Sequence, residues 1–219
     1  MRKQLFGELG SERYKTYADD IWTSGRLLQG IVDDVLDMAK IKNGSLVLSD
    51  DEIELRDLLS ACSRIMTPIA QKRHISIRMA RRQETIRLRC DHRRLSQALL
   101  NLASNAVKFS HDHEEVTIQA SIGKEGDLLL SVADRGIGIR AEDIVLIMRP
   151  FGQVSSSYSR THGGTGLGLP IARSFIELHG GTLAIESTPG VGTTARVQIP
   201  AARVRIENMP APGPDELAA

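Results

Sequence analysis

The run Gly163-Gly164-Thr165-Gly166-Leu167-Gly168-Leu169 most constrains what this chain can fold into, because four glycines pass directly into an apolar segment. Glycines free the backbone to aim successive N–H groups at one point, and the N-terminus of a following helix adds a positive dipole there. The segment suits a phosphate cradle. A flexible linker would not continue as Leu167-Gly168-Leu169-Pro170-Ile171-Ala172. The lysine of a G-x-x-x-x-G-K-[ST] loop is lacking, which excludes that type of phosphate loop.

Two further segments carry groups that would complement such a cradle. On a helix expected over Arg93–Phe109, Asn101, Asn105 and Lys108 are spaced four and three apart and share one face. Leu99, Leu102, Ala103 and Ala106 then face a sheet. Amide oxygens can join the oxygen shell of Mg2+, an ammonium neutralises phosphate, and Phe109 can cover a base. Taken alone, the pattern also reads as an amphipathic helix with a polar side. Further on, the apolar Val132-Ala133 runs into Asp134-Arg135-Gly136-Ile137-Gly138. A strand-end carboxylate can accept from the exocyclic amine of adenine, and the glycines permit close backbone approach. No third glycine opens a helix, so this is not a dinucleotide fingerprint, and a simple turn would also explain it. Arg140 to His162 is long and polar, which suits a lid, with Arg160 the candidate to reach phosphates.

Apolar periodicity divides the rest. From Tyr14 to Ile41, Ile21, Ser24, Leu28, Ile31, Val35 and Met38 recur at spacings of three and four, the seam of a helical bundle. Gly44 supplies a C-cap and a boundary. Strands are then expected at Leu46–Leu48, Ser76–Met79, Arg87–Cys90, Glu115–Ile122, Leu128–Asp134, Thr182–Ser187 and Thr194–Ile199. Helices fall at Leu55–Arg73, Arg93–Phe109 and Leu169–His179, and the fourth and fifth strands should be antiparallel neighbours. The expected fold is α+β, a two-layer α/β sandwich with a mixed sheet, preceded by a long helix from a truncated hairpin. Its parts are residues 1–44, 45–200 and a flexible tail at 201–219, where Pro210, Pro212 and Pro214 break any periodicity.

Composition narrows the classes. A formal net charge of +1 favours neither nucleic acid nor an anionic membrane. Arg78, Arg81, Arg82, Arg87 and Arg89 read as a solvated hairpin, since almost no aromatic residues interleave them. No apolar run approaches the ~20 residues of a membrane span, and Cys62 and Cys90 have neither C-x-x-C spacing nor a secretory signal ahead of them, which suits the cytoplasm.

Together these residues resemble the catalytic and ATP-binding domain of bacterial two-component sensor histidine kinases. Asn101–Ser110 looks like the N-box, Asp134–Gly138 the first glycine box, Pro150-Phe151-Gly152-Gln153 the aromatic box and Gly163–Leu169 the second glycine box. Tyr14–Gly44 is similar to the second helix of the family's dimerisation hairpin. The resemblance implies ATP and Mg2+ as cofactors. Asn105 would coordinate the metal with help from Asn101, and Lys108 would approach phosphate. Asp134 would read adenine. Phe109, Gly136, Gly138, Arg160, Gly164, Thr165, Gly166, Leu167, Gly168 and Thr194 would complete the nucleotide contacts. Arg135 departs from the small or polar residue often found there.

The family's acceptor histidine lies in an acidic, arginine-threonine-proline context that none of His74, His92, His111, His113, His162 and His179 shares. His111, Asp112 and His113 read as a solvated loop, not a metal site. The implied partners are therefore an acceptor-histidine hairpin and a response-regulator receiver domain, with a homodimer through Ile21, Leu28, Ile31, Val35 and Met38. Related hydrolases of this fold place a glutamate where Asn101 stands. An amide is no general base, which disfavours ATP hydrolysis and puts it third, while the intact boxes favour phosphotransfer over a non-catalytic docking module.

Overall fold

In a computed structural model of the chain, residues 10–79, 85–154 and 164–207 are described. The chain divides into two compact units, Met1–Leu46 and Val47–Ala219, so the boundary falls two residues beyond the expected Gly44. Arg160, His162, Gly163 and residues 208–219 of the expected tail lie outside the described residues.

The first unit holds α1, Glu12–Lys42. Ser11 caps it by accepting from the Arg13 amide at 3.3 Å, and Lys40 and Lys42 in the last turn complement the helix dipole. Gly44 ends it at φ 64°. Along α1, Ile21, Leu28 and Val35 of the seam are exposed.

The second unit contains two sheets. One has five strands in the order β2-β4-β5-β7-β6: β2 Ser76–Met79, β4 Glu115–Ile122, β5 Leu128–Ala133, β7 Gly192–Ile199 and β6 Thr182–Thr188. The β2–β4 pair is parallel and the others antiparallel, so the sheet is mixed, and β4 and β5 are antiparallel neighbours as their hairpin loop predicts. Register aligns Ile118, Val132 and Ala195 in one row and Ala120, Leu130 and Val197 in the next, all buried. Period-two alternation thus builds one apolar face.

Helices α2 (Leu55–Gln71), α3 (His92–Phe109) and α5 (Gly168–Leu178) supply the opposing layer. Leu95, Leu99, Leu102, Ala103 and Ala106 of α3 are buried, and so are Ile171, Ala172, Phe175 and Ile176 of α5. The buried His179 links the two helices: its Nε2 accepts from the Asp91 amide at 3.0 Å and its Nδ1 lies 2.7 Å from the Phe175 carbonyl, which fixes the proton on Nδ1. Burial pushes the pKa of His179 down, which favours this neutral form.

The second sheet, β1-β3-β8, corrects three expectations. Residues 46–48 form no strand; the pairing segment is β1, Asp51–Glu54, and the backbone before it is tied by the Ser49 amide to Asp91 Oδ2 at 3.1 Å. The arginine-rich stretch is no hairpin, because β2 joins the five-stranded sheet while β3, Thr85–Cys90, pairs with β1 and β8. Residues 201–207, assigned to the tail, form a 3-10 turn at Ala201–Arg203 and β8, Val204–Glu207. Val204 lies opposite Leu88, which also faces Ile53, so β8 completes an apolar row that proline content alone does not reveal. Arg203 anchors the turn, donating to Asp50 and to the Arg89 carbonyl, both at 2.8 Å. A seven-residue helix, α4 at Ala141–Ile147, opens the segment read as a lid.

Ending the chain at Pro200 should therefore lower the urea midpoint and melting temperature markedly, because it bares the β3 edge and uncovers Leu88. An unchanged transition would show that 201–207 behaves as a tail.

Candidate functional site

The site begins with the cap that fixes α3. Although burial opposes ionisation, the amides of Arg94 and Ser49 hold the Asp91 carboxyl below its ordinary pKa. The helix enters with Asp91 Oδ1 3.0 Å from the Arg94 amide, a side-chain N-cap. Asn101, two to three turns on, donates through Nδ2 to the Gly168 carbonyl at 3.0 Å. Its Oδ1 remains an acceptor, and Asn105 follows one turn later, also half-buried.

At the end of α3 the first glycine box closes in. A Cβ on Gly136 would overlap the Phe109 carbonyl oxygen, so only glycine permits this approach. The Ile137 amide donates to that same oxygen at 3.2 Å, Ser110 bridges Gly136, and the His111 amide donates to the Arg135 carbonyl at 3.3 Å. Gly138, at φ 63°, is pressed on the Thr188 carbonyl in the same way. Arg135 points outward, 3.9 Å from Glu114.

Asp134 stands where β5 ends. Its backbone amide donates to the Thr193 carbonyl at 2.8 Å and its Oδ1 accepts from the Thr193 amide at 3.1 Å. Burial pushes its pKa up to about 6, against the pull of the Thr193 and Gly136 amides. Thr194 lies beside it, opposite Ala133 in the β5–β7 ladder. Thr193, missed as a site residue, was legible only as part of a glycine-flanked hairpin; nothing local shows that its amide meets a carboxylate 59 residues away.

The second glycine box meets α3 from the other side. A Cβ on Gly164 would come within 2.9 Å of Lys108 Nζ, and burial lowers the pKa of that ammonium. Lys108 Nζ also sits 4.8 Å from the centroid of the Phe109 ring. Gln153 donates to the Gly164 carbonyl at 2.8 Å and the Phe151 amide to the Gly166 carbonyl at 3.1 Å, so the aromatic box is tied to the glycines. Thr165 Oγ1 accepts from the Leu167 amide at 3.2 Å. Leu167 itself is buried, so its side chain serves the core and not a ligand.

Asn101, Asn105, Lys108 and Phe109 of α3 are thus met by Gly136, next to Asp134, from one side and by Gly164 and Gly168 from the other, whereas Thr194, beside the buried Ala195, faces the polar side of the sheet and Gly138 packs on Thr188. A depression of about 490 Å3 on the polar face of the five-stranded sheet shares Asp134 and Thr194 but is otherwise lined by residues such as Thr117, Ser131 and Arg196. The α3 face, where both glycine boxes converge, is the better cleft. Among the described residues no cluster of three His, Cys, Asp or Glu side chains could hold a metal. Hard amide oxygens beside a lysine suit Mg2+ carried largely by phosphate oxygens, so the donor set fits a metal–nucleotide complex.

Residues 90–203 match the family described as histidine kinase-, DNA gyrase B-, and HSP90-like ATPase. The chain is 39% identical over 203 residues to the non-motile and phage-resistance protein of Caulobacter vibrioides, covering 91% of this chain and 24% of that protein. It is 38% identical over 200 residues to histidine protein kinase DivJ of the same species, covering 91% and 33% respectively. The chain therefore spans no more than a third of these curated relatives. Among solved structures it is similar to full-length ShkA in complex with AMPPNP, with a TM-score of 0.76 at 30% identity, over 91% of this chain and 41% of that one.

The Asp134 carboxyl gives a linkage prediction. With a folded pKa of about 6 against the ordinary 3.8, the folded state binds the proton more tightly, so stability is lost as pH rises from about 4 to about 6. Asp134→Asn should be more stable than the parent by on the order of 2 kcal/mol at pH 8, and the gain should vanish near pH 4. Urea titrations at the two pH values decide it; a variant less stable at pH 8 would contradict the buried charge.

Proposed function

Because the chain belongs to the histidine kinase-, DNA gyrase B-, and HSP90-like ATPase family and carries its ATP-binding catalytic domain, we propose that it binds Mg2+-ATP and transfers the γ-phosphoryl group to a histidine on a separate helical hairpin, in two-component signalling. The observation that supports this best is the convergence of Asn101, Asn105 and Lys108 with Gly164–Gly168 on one side and Asp134–Gly138 on the other. An adenine nucleotide is the expected ligand, as AMPPNP is for ShkA.

The chain's own groups then have distinct tasks. Asp134, charged at neutral pH, accepts from the exocyclic amine, and Gly136 and Gly138 let the base approach the backbone. Phe109 covers the base. Asn105, with Asn101, would hold Mg2+ through amide oxygens, and the metal would supply charge neutralisation on the phosphates. Lys108, Gly164, Thr165, Gly166 and Gly168 surround the phosphates. The incoming imidazole nitrogen forms the new N–P bond as the bond from phosphorus to the ADP oxygen breaks. No enzyme base is needed, and Asn101, an amide already donating to Gly168, is unable to act as one for water.

The acceptor comes from another segment, since no histidine lies in α1. Ile21, Leu28, Ile31, Val35 and Met38 then serve a homodimeric bundle, and a response-regulator receiver domain takes the phosphoryl group onward. No described helix is long and apolar enough to cross a membrane, and a cytoplasmic location fits the ATP-binding reading.

Calorimetry should detect Mg2+-ATP binding that weakens as pH falls through about 6, where Asp134 takes up a proton. With an intact acceptor hairpin supplied in trans, acid-labile phosphate should appear on its histidine, and Asn105→Ala should slow transfer on the order of 100-fold. Absence of nucleotide binding would overturn the proposal; binding without transfer would favour a docking module.

A further inference from the structure

The last carbonyls of α3 and the residue that follows it are fully accounted for, and one side chain from outside the boxes takes most of them. The Ala106 oxygen accepts from the amide and the hydroxyl of Ser110, at 3.0 and 2.7 Å. The Phe109 oxygen accepts from the Ile137 amide. The remaining three belong to Arg73: one terminal nitrogen donates to the Val107 and Lys108 oxygens at 2.9 and 2.6 Å, and the other to the Ser110 oxygen at 3.0 Å. Asp112 Oδ1 accepts the rest, from Nε at 3.1 Å and the second terminal nitrogen at 2.8 Å. Five N–H groups in a planar fork thus meet five hydrogen bonds.

The turn that presents Arg73 is built for this placement. The helix α2 ends with the His74 amide on the Gln71 carbonyl and the Ile75 amide on the Ala70 carbonyl, while His74 takes φ 56°. Across the gap, His113 takes φ 68° and its ring stacks on that of His74, with centroids 4.9 Å apart and planes at 4°. The two left-handed residues flank the Arg73–Asp112 pair. Ser76 then donates to the Glu114 carbonyl at 3.0 Å, which joins the turn to the start of β4.

We propose that Arg73 is a positioning residue of the nucleotide cleft, clamping the C-terminal turn of α3 so that Lys108 and Phe109 are held against Gly136 and Ile137. The inference rests on the ATP-binding reading above. The Arg73 acceptors bracket Lys108 and Phe109 in sequence, and the one carbonyl it leaves, that of Phe109, is the one the first glycine box takes. Without the guanidinium, three carbonyls at the negative end of a helix dipole would be left to water or to a rearranged turn, and the lysine and aromatic ring would move with them. Lysine at this position keeps the charge but has neither the plane nor the number of donors.

The test uses the full chain and Mg2+-ATP, by calorimetry well below the melting transition. The parent must bind first; failure there refutes the ATP reading and leaves nothing for Arg73 to position. Given parent binding, Arg73→Ala should weaken affinity about ten-fold, with Arg73→Lys intermediate and millimolar methylguanidinium restoring much of the loss in the alanine variant. Asp112→Ala, which removes the acceptor of two of the five bonds, should cost about three-fold and serves if Arg73→Ala does not fold. Leu88→Ala, a cavity in the other sheet, should lower stability yet keep the parental affinity. Affinity within two-fold of the parent in the Arg73 and Asp112 variants that fold, or an equal loss in Leu88→Ala, would overturn the proposal.

Discussion

The cleft depends on one close approach, the packing of the Gly136 backbone on the Phe109 carbonyl oxygen. A side chain at residue 136 would separate the end of α3 from the end of β5. The approach is possible because both partners are fixed elsewhere. The helix is held through Leu95, Leu99, Leu102 and Ala106 in the core, and β5 is held by β4 on one side and β7 on the other. Packing therefore sets the spacing, and the glycine makes that spacing tolerable. Hydrogen bonds from Ile137 and His111 then define the register at which the two segments meet.

Electrostatics adds a second constraint. Burial raises the pKa of Asp134 and lowers that of Lys108, so each charge is held where the apo domain gains little from it. A protein interior selected for stability alone would replace both. A bound amine donor and a bound phosphate offset these costs, because each supplies the partner that desolvation has removed. Thr193 and Gly136 keep the carboxylate oriented meanwhile. The site is therefore prepared for a ligand with a hydrogen-bond donor at one end and negative charge at the other.

Much of this was legible in the sequence, wherever the information is local. The four-and-three spacing of Asn101, Asn105 and Lys108 specifies a helix face, and the alternation in 115–122 and 128–133 specifies strands with one buried side. What escaped is long-range. The strand β8 is four residues long, and its partner β3 lies over a hundred residues earlier, so nothing in Val204–Glu207 itself distinguishes it from the tail. The arginines of β2 and β3 look continuous along the chain, yet their strands enter different sheets. Arg73 belongs to no motif: as a sequence it is one more cation after a helix, and only the fold shows which carbonyls it faces.

The two walls of the cleft are built differently. On the α3 side, a capped helix, a buried face and a complete set of carbonyl partners hold every contributing residue. On the other side, among the described residues, the Gly164 and Gly166 carbonyls accept from Gln153 and from the Phe151 amide. Phe151 adopts φ 63° with its ring exposed, a conformation unfavourable for a bulky residue, and its N–H donates a hydrogen bond to the Gly166 carbonyl. Among its described residues up to Gly166, this wall contributes no buried apolar side chain. The difference between the two walls follows from where the buried apolar residues lie, since α3 has seven and the segment from Arg140 to Gly166 has none among its described residues.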